Sequence, residues 1–252
     1  MIALSDVVLG RRPIRSRVRA NPEMALHQSL CKLSLEEAVI HGLEAGMDQV
    51  IILGGEFDPL AARLAWRYPQ ARFLELNCDP LQAARRKLWQ RSGYVPPNLR
   101  LIHMDFRRAD FGAALRALPE FHTDQAAFFL CDGILPGLEK SAVEALFAQL
   151  AALPCPALRL AFTFRQASGA MPPFRKALRG AAGWIGLDGP PTWGLPPGEM
   201  RSFLGRWGFS LDEIADATVF HKRFLNQSPG QPLPQGEMVA IASVIRAQGS
   251  GE

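Results

Sequence analysis

The residues of this 252-residue chain that could do chemistry gather just after runs of apolar residues. The run 49–53 is followed by Gly54, Gly55, Glu56, Phe57 and Asp58. The run 72–77 carries Glu75 and ends in Asn77, with Cys78 and Asp79 next. The run 99–104 leads into Asp105 and Phe106, and the run 126–131 into Asp132 and Gly133. Taken singly, a polar residue after a strand is an ordinary turn former or helix cap. Taken together, four such ends would line one edge of a parallel sheet. Ligands of open α/β sheets bind beyond that edge, outside the carboxyl ends of the strands.

Charge discriminates among the ligands such an edge could hold. A pyrophosphate-bearing dinucleotide places its anion on the amides of a glycine turn and the helix that follows. Here Glu56 and Asp58 occupy that place, and like charges about 4 Å apart in a site of low effective dielectric cost on the order of a few kcal/mol. The GxxxxGK[ST] phosphate loop is missing from the sequence. S-adenosylmethionine carries no phosphate, and its sulfonium and ammonium tolerate or welcome nearby carboxylates. Asp58, with Pro59 behind it, reads mainly as a helix start. Glu56 either complements the same helix dipole or faces a cationic ligand. In a site for an adenosine-bearing cofactor, Asn77 would meet the ribose and Asp105 the exocyclic amine of adenine. The Phe106 amide would reach a ring nitrogen, and Asp132 would lie toward the methionine end.

The elements that must position these residues alternate along the chain. A helix is expected over 35–45, with Ser34 and Glu37 as a capping box and Gly46 as its stop. Strand 49–53 follows, then a helix over 59–68, strand 72–77, a helix over 80–90 and strands 99–104 and 126–131. A helix over 142–153, capped by Ser141 and Glu144, leads into strand 158–164. Near-continuous apolar strands are buried on both faces, as in a parallel sheet between helix layers. The expected class is therefore α/β, a doubly wound and mostly parallel Rossmann-like sheet. The Gly- and Pro-rich segment 165–196 interrupts the rhythm and reads as an irregular substrate-side insertion. A helix over 198–207 and strands over 210–220 and 237–246 would add a late antiparallel hairpin.

Composition bounds the rest. The chain is 48% hydrophobic and 21% charged, with no apolar run near the roughly 20 residues that span a bilayer. Its formal charge of +4 is accounted for by Arg11, Arg12, Arg15, Arg17 and Arg19 against Asp6, so the remainder is neutral. That is no strong nucleic-acid signal; the arginines are a solvated leader or a patch for an acidic partner. They precede a single domain expected over 34–252, leaving 1–33 as a basic segment. The apolar part of the N-terminus precedes its arginines, the reverse of a secretory signal. Four scattered cysteines and five histidines show no disulfide or zinc spacing, so no metal is expected and cytoplasmic residence is the simplest reading.

The motifs also resemble, in order and spacing, the leucine carboxyl methyltransferase-like family of S-adenosylmethionine-dependent methyltransferases. VIILGGEFDPLAARL (50–64) is similar to that family's VVxLGAGLDTRAxRL, and FLELNCDPLQAAR (73–85) to its FxEVDxPxxxxxK. MDFR (104–107) looks like its GDLR, CDGILPGL (131–138) like its EGVLMYL, and GPPTWGLPPGEMRSFLGRWGF (189–209) like its late W-G pattern. The chain differs at Glu56 for Gly, Asn77 for Asp, Asp132 for Glu and Gly137 for Tyr. The resemblance implies S-adenosylmethionine as cofactor, with Gly54, Gly55, Glu56, Asn77, Asp105, Phe106 and Asp132 around it. It also implies a basic residue on the methionine carboxylate, at Lys32 or among arginines 11–19. The acceptor is unnamed. Arg165 and Arg175 are candidates to bind an anionic acceptor, with Trp184 or Trp193 as a wall. A degenerate methyltransferase fold serving as a scaffold is the alternative.

Overall fold

The computed structural model describes residues 22–54, 60–77, 95–166, 193–226 and 236–245. The N-terminal arginines, Gly55, Glu56 and Asp58, the helix expected over 80–90, Arg175 and Trp184 lie outside these residues. Strands β1 (Gln49–Leu53), β2 (Arg72–Asn77), β3 (Leu99–His103), β4 (Ala127–Cys131), β5 (Ala157–Phe164), β6 (Ser210–Ala215) and β7 (Met238–Ile245) form one sheet. Their order is β3-β2-β1-β4-β5-β7-β6. Neighbours among β1 to β5 are parallel, and β7 runs antiparallel to both β5 and β6. The doubly wound, mostly parallel sheet with a late antiparallel hairpin is thus the observed architecture.

The sheet is buried on both faces because its strands alternate apolar residues to either side. Ile51, Leu74, Phe129 and Phe162 meet one helix layer: α3 (Phe111–Arg116), α4 (Lys140–Ala151) and α5 (Met200–Gly205). Val50, Phe73, Phe128, Leu130 and Ala161 meet the other, built on α1 (Pro22–Glu44) and α2 (Leu60–Arg67). Phe147 of α4 centres the first layer, with edge contacts to Phe162, Phe203 and Phe209 at 5.1–6.1 Å between ring centroids.

Three local expectations are corrected. The first helix begins at Pro22 rather than near residue 35, so the 33/34 line falls inside it. Pro suits a first helical position, and the buried stripe His27, Leu30, Cys31, Ser34, Leu35, Ala38 keeps helical spacing straight through the supposed cap. Ser34 is therefore mid-helix and buried, with no partner for its hydroxyl. Likewise α4 starts at Lys140 behind Glu139, which leaves Ser141 within it. The strand expected over 210–220 stops at Ala215, where the Asp216 side chain accepts from the Val219 amide and starts α6 (Ala217–Phe220). The short helix α3 gave no recognised signal in the sequence.

Candidate functional site

Beyond the carboxyl ends of β1, β2 and β4, on the α1/α2 side, the sheet opens into a cleft of about 510 Å³, counting space open to solvent. Leu35, Ile52 and Leu130 give it an apolar floor. Its polar lining is Lys32 and Glu36 from α1, Arg63 from α2, Glu75 from β2 and Asp132 after β4. Three carboxylates thus face two cations.

The fold explains each placement. Glu75 shares a strand face with Phe73, and that alternation turns it toward α1 and α2; it is fully buried. A buried carboxylate is costly unless it is satisfied, so the Glu inside the apolar run RFLELN is itself a site signal. Glu36 and Arg63 form an ion pair at 2.6 Å that ties α1 to α2 across the cleft. Lys32 Nζ stands 3.5 Å from Asp132 Oδ2. Position 132 is fixed further by β5: the Gly133 amide donates to Thr163 Oγ1 at 2.7 Å, and that hydroxyl lies 3.4 Å from Asp132 Oδ1.

The other expected residues sit differently. Gly54 has φ +78°, and a Cβ built there would lie 2.2 Å from Ile134 Cδ1 and 3.9 Å from the Phe106 ring. Asn77 ends β2, and its carbonyl accepts from the Met104 amide. Asp105 is held by its own neighbour. Arg107 donates from Nε to Oδ1 at 2.8 Å and from Nη2 to Oδ2 at 2.9 Å, with its backbone amide adding a third bond at 3.0 Å. These bonds, the Arg107 side chain first, hold the Asp105 carboxyl below its ordinary range. The Phe106 ring is buried in the core.

On the acceptor side, Arg165 pairs with Glu237 at 3.3 Å, both side chains being largely buried. Its charge already serves to join β5 to β7. Trp193 is 4% exposed and packs on Phe203 with ring centroids 5.6 Å apart. The same corner anchors α1. His27 Nε2 donates to the Glu237 carbonyl at 2.8 Å, and the Cys31 thiol reaches the same oxygen at 3.4 Å. Burial pushes the Cys31 thiol up and the His27 imidazole down, each disfavouring its charged form.

The set fits S-adenosylmethionine by charge. Carboxylates dominate the cleft, and Lys32 beside Asp132 offers one partner of each sign to an amino-acid end. Among the described residues no cluster of His, Cys, Asp or Glu could hold a metal ion, and no helix is long and apolar enough to cross a membrane.

Known proteins give independent likenesses. The family model described as leucine carboxyl methyltransferase matches residues 9–151, more than half of the chain. A candidate S-adenosyl-L-methionine-dependent methyltransferase of Mycobacteroides abscessus is 28% identical over 194 residues, 73% of this chain and 63% of that protein. Another, from Mycolicibacterium smegmatis, is 33% identical over 114 residues, 45% of this chain and 37% of that one. The chain thus spans less than two thirds of the length of either. Among solved structures, a candidate methyltransferase from Thermobifida fusca superposes with a TM-score of 0.65 at 20% identity, covering 96% and 94% of the two chains. The magnesium protoporphyrin IX methyltransferase of Synechocystis with bound SAH gives 0.53 at 14%, covering 96% and 98%. Likeness at such identities is likeness of fold.

Proposed function

The chain belongs to the leucine carboxyl methyltransferase family, and from that premise we propose that it is an S-adenosylmethionine-dependent methyltransferase whose cofactor occupies the cleft beyond β1, β2 and β4. One observation carries this reading: among the described residues, three carboxylates, Glu36, Glu75 and Asp132, face the cleft against two cations, Lys32 and Arg63. Such a lining suits a ligand of net positive charge and opposes a pyrophosphate.

S-adenosylmethionine bound there would supply an electrophilic sulfonium methyl, its sulfur leaving as the thioether of S-adenosylhomocysteine when an acceptor oxygen takes the methyl. Asp132 and Lys32 would hold the ammonium and carboxylate of the methionine end. Glu75, deep on β2, would face the ribose side, and the loop after β3 would meet the adenine. A carboxylate acceptor is already ionised at neutral pH, so the chain need only align the reactants and exclude water. A carboxylate on a small molecule or a protein is the acceptor class proposed.

Calorimetric titration with S-adenosylhomocysteine, S-adenosylmethionine and NADH tests the assignment. Micromolar binding of the first two and none of the third is expected. Silence toward all three would leave a scaffold, and tight NADH binding would reverse the charge argument.

A further inference from the structure

We infer that Thr163 is a positioning residue, setting the Asp132 carboxylate to receive the ammonium of an amino-acid-bearing cofactor; this rests on the cofactor assignment above. Thr163 is fully buried near the end of β5, between Phe162 and Phe164. Packing alone gives no reason for its hydroxyl, since valine fills the same volume in a buried strand. Its oxygen accepts the Gly133 amide at 2.7 Å. Its one proton is then available to Asp132 Oδ1, 3.4 Å away. Gly133 has φ +71°, so the turn after β4 departs from the strand at this residue, where the Thr163 hydroxyl holds its amide. The hydroxyl therefore holds both the turn and one oxygen of the carboxylate.

The other oxygen of Asp132 faces Lys32 at 3.5 Å, with about a third of the carboxylate side chain exposed. This is the arrangement of a loose ion pair that an incoming zwitterion can open. The ligand's ammonium takes the place of Lys32 at Asp132, and its carboxylate takes the place of Asp132 at Lys32. Such an exchange of partners requires that the carboxylate stay in place when Lys32 turns away, and Thr163 supplies that fixity from beneath.

Two ligands separate positioning from general support of the fold. S-adenosylhomocysteine carries the amino-acid end, whereas methylthioadenosine keeps the nucleoside and sulfur and lacks it. Their dissociation constants are measured by calorimetry for the full chain and for Thr163→Val and Thr163→Ser. Thr163→Val is expected to weaken S-adenosylhomocysteine about ten-fold or more and to leave methylthioadenosine within about two-fold, with Thr163→Ser restoring the first. Thr163→Ala carries the same comparison if the valine variant does not fold. Equal weakening of both ligands, or unchanged binding of S-adenosylhomocysteine, overturns the positioning role alone. Wild-type protein that binds neither ligand overturns the cofactor assignment and this role with it.

Discussion

The carboxylates that follow β3 and β4 are held in opposite ways. Asp105, in the loop proposed to meet the nucleoside end of the ligand, is chelated by Arg107 two residues on, in a pair about a third exposed. Asp132, on the cleft and proposed for the amino-acid end, is held by Lys32 from α1 and by Thr163 from β5, both distant in sequence. A local, exposed pair contributes little to the fold and is easily traded for a ligand. A carboxylate held from two elements is part of how those elements meet. The first end is adaptable; the second is built.

Substitutions can break or sharpen this division. The largest effect is expected at Gly54, which lies between the ends. Its Cβ would meet Ile134, on the Asp132 side, and its positive φ adds strain. Gly54→Ala should lose about 2–4 kcal/mol of stability in chemical denaturation. Trimming the partner in Gly54→Ala/Ile134→Val should return part of it, and no recovery would place the strain in the backbone. Next, Asp132→Ala should cost about 2–3 kcal/mol of S-adenosylhomocysteine affinity and spare methylthioadenosine. If both ligands suffer, the ends are not separate. Asp105→Ala should cost both ligands about 1 kcal/mol, a modest sum because Arg107 already engages that carboxylate. Arg107→Ala carries the opposite sign: by removing a competitor it should tighten both ligands by up to about 1 kcal/mol. Weaker binding in that variant would mean that Arg107 itself touches the ligand.

The smallest effect at neutral pH concerns the anchor of α1. Burial holds His27 below its ordinary value of 6.5. The unfolded chain therefore takes up a proton that the folded chain refuses, and stability falls as pH drops below about 6.5. Melting curves between pH 7.5 and 5 should show a shallower loss for His27→Gln than for wild type. An equally steep loss would assign the acid sensitivity to other groups, and α1, with Lys32, would lack the pH-dependent anchor.

The strands were legible because a buried parallel strand is an uninterrupted apolar run, and β1 and β2 fall on 49–53 and 72–77. Strand ends also placed Asp132 on the cleft. Helix starts were less legible. Ser34 and Glu37 have the spacing of a capping box, but a stripe continuous with His27 and Leu30 overrides a local signal. Glu75 is visible in the sequence as a lone carboxylate inside an apolar strand. Lys32 is named by the family resemblance rather than by spacing, and Thr163 beneath Asp132 by neither: three elements far apart in sequence meet there, and no spacing records it. The packing of Trp193 on Phe203 is likewise a tertiary contact that no spacing records.

Gly54 also bears on what a glycine turn can testify to. Ile134 fills the space in which a side chain would sit, whatever the cleft contains. A descendant of this chain that had abandoned its ligand would still be obliged to keep glycine there, while the ligand-facing positions around it drifted. In a lineage, then, persistence at residue 54 would report the fit of two loops, and the history of binding would have to be sought at Lys32, Glu75 and Asp132.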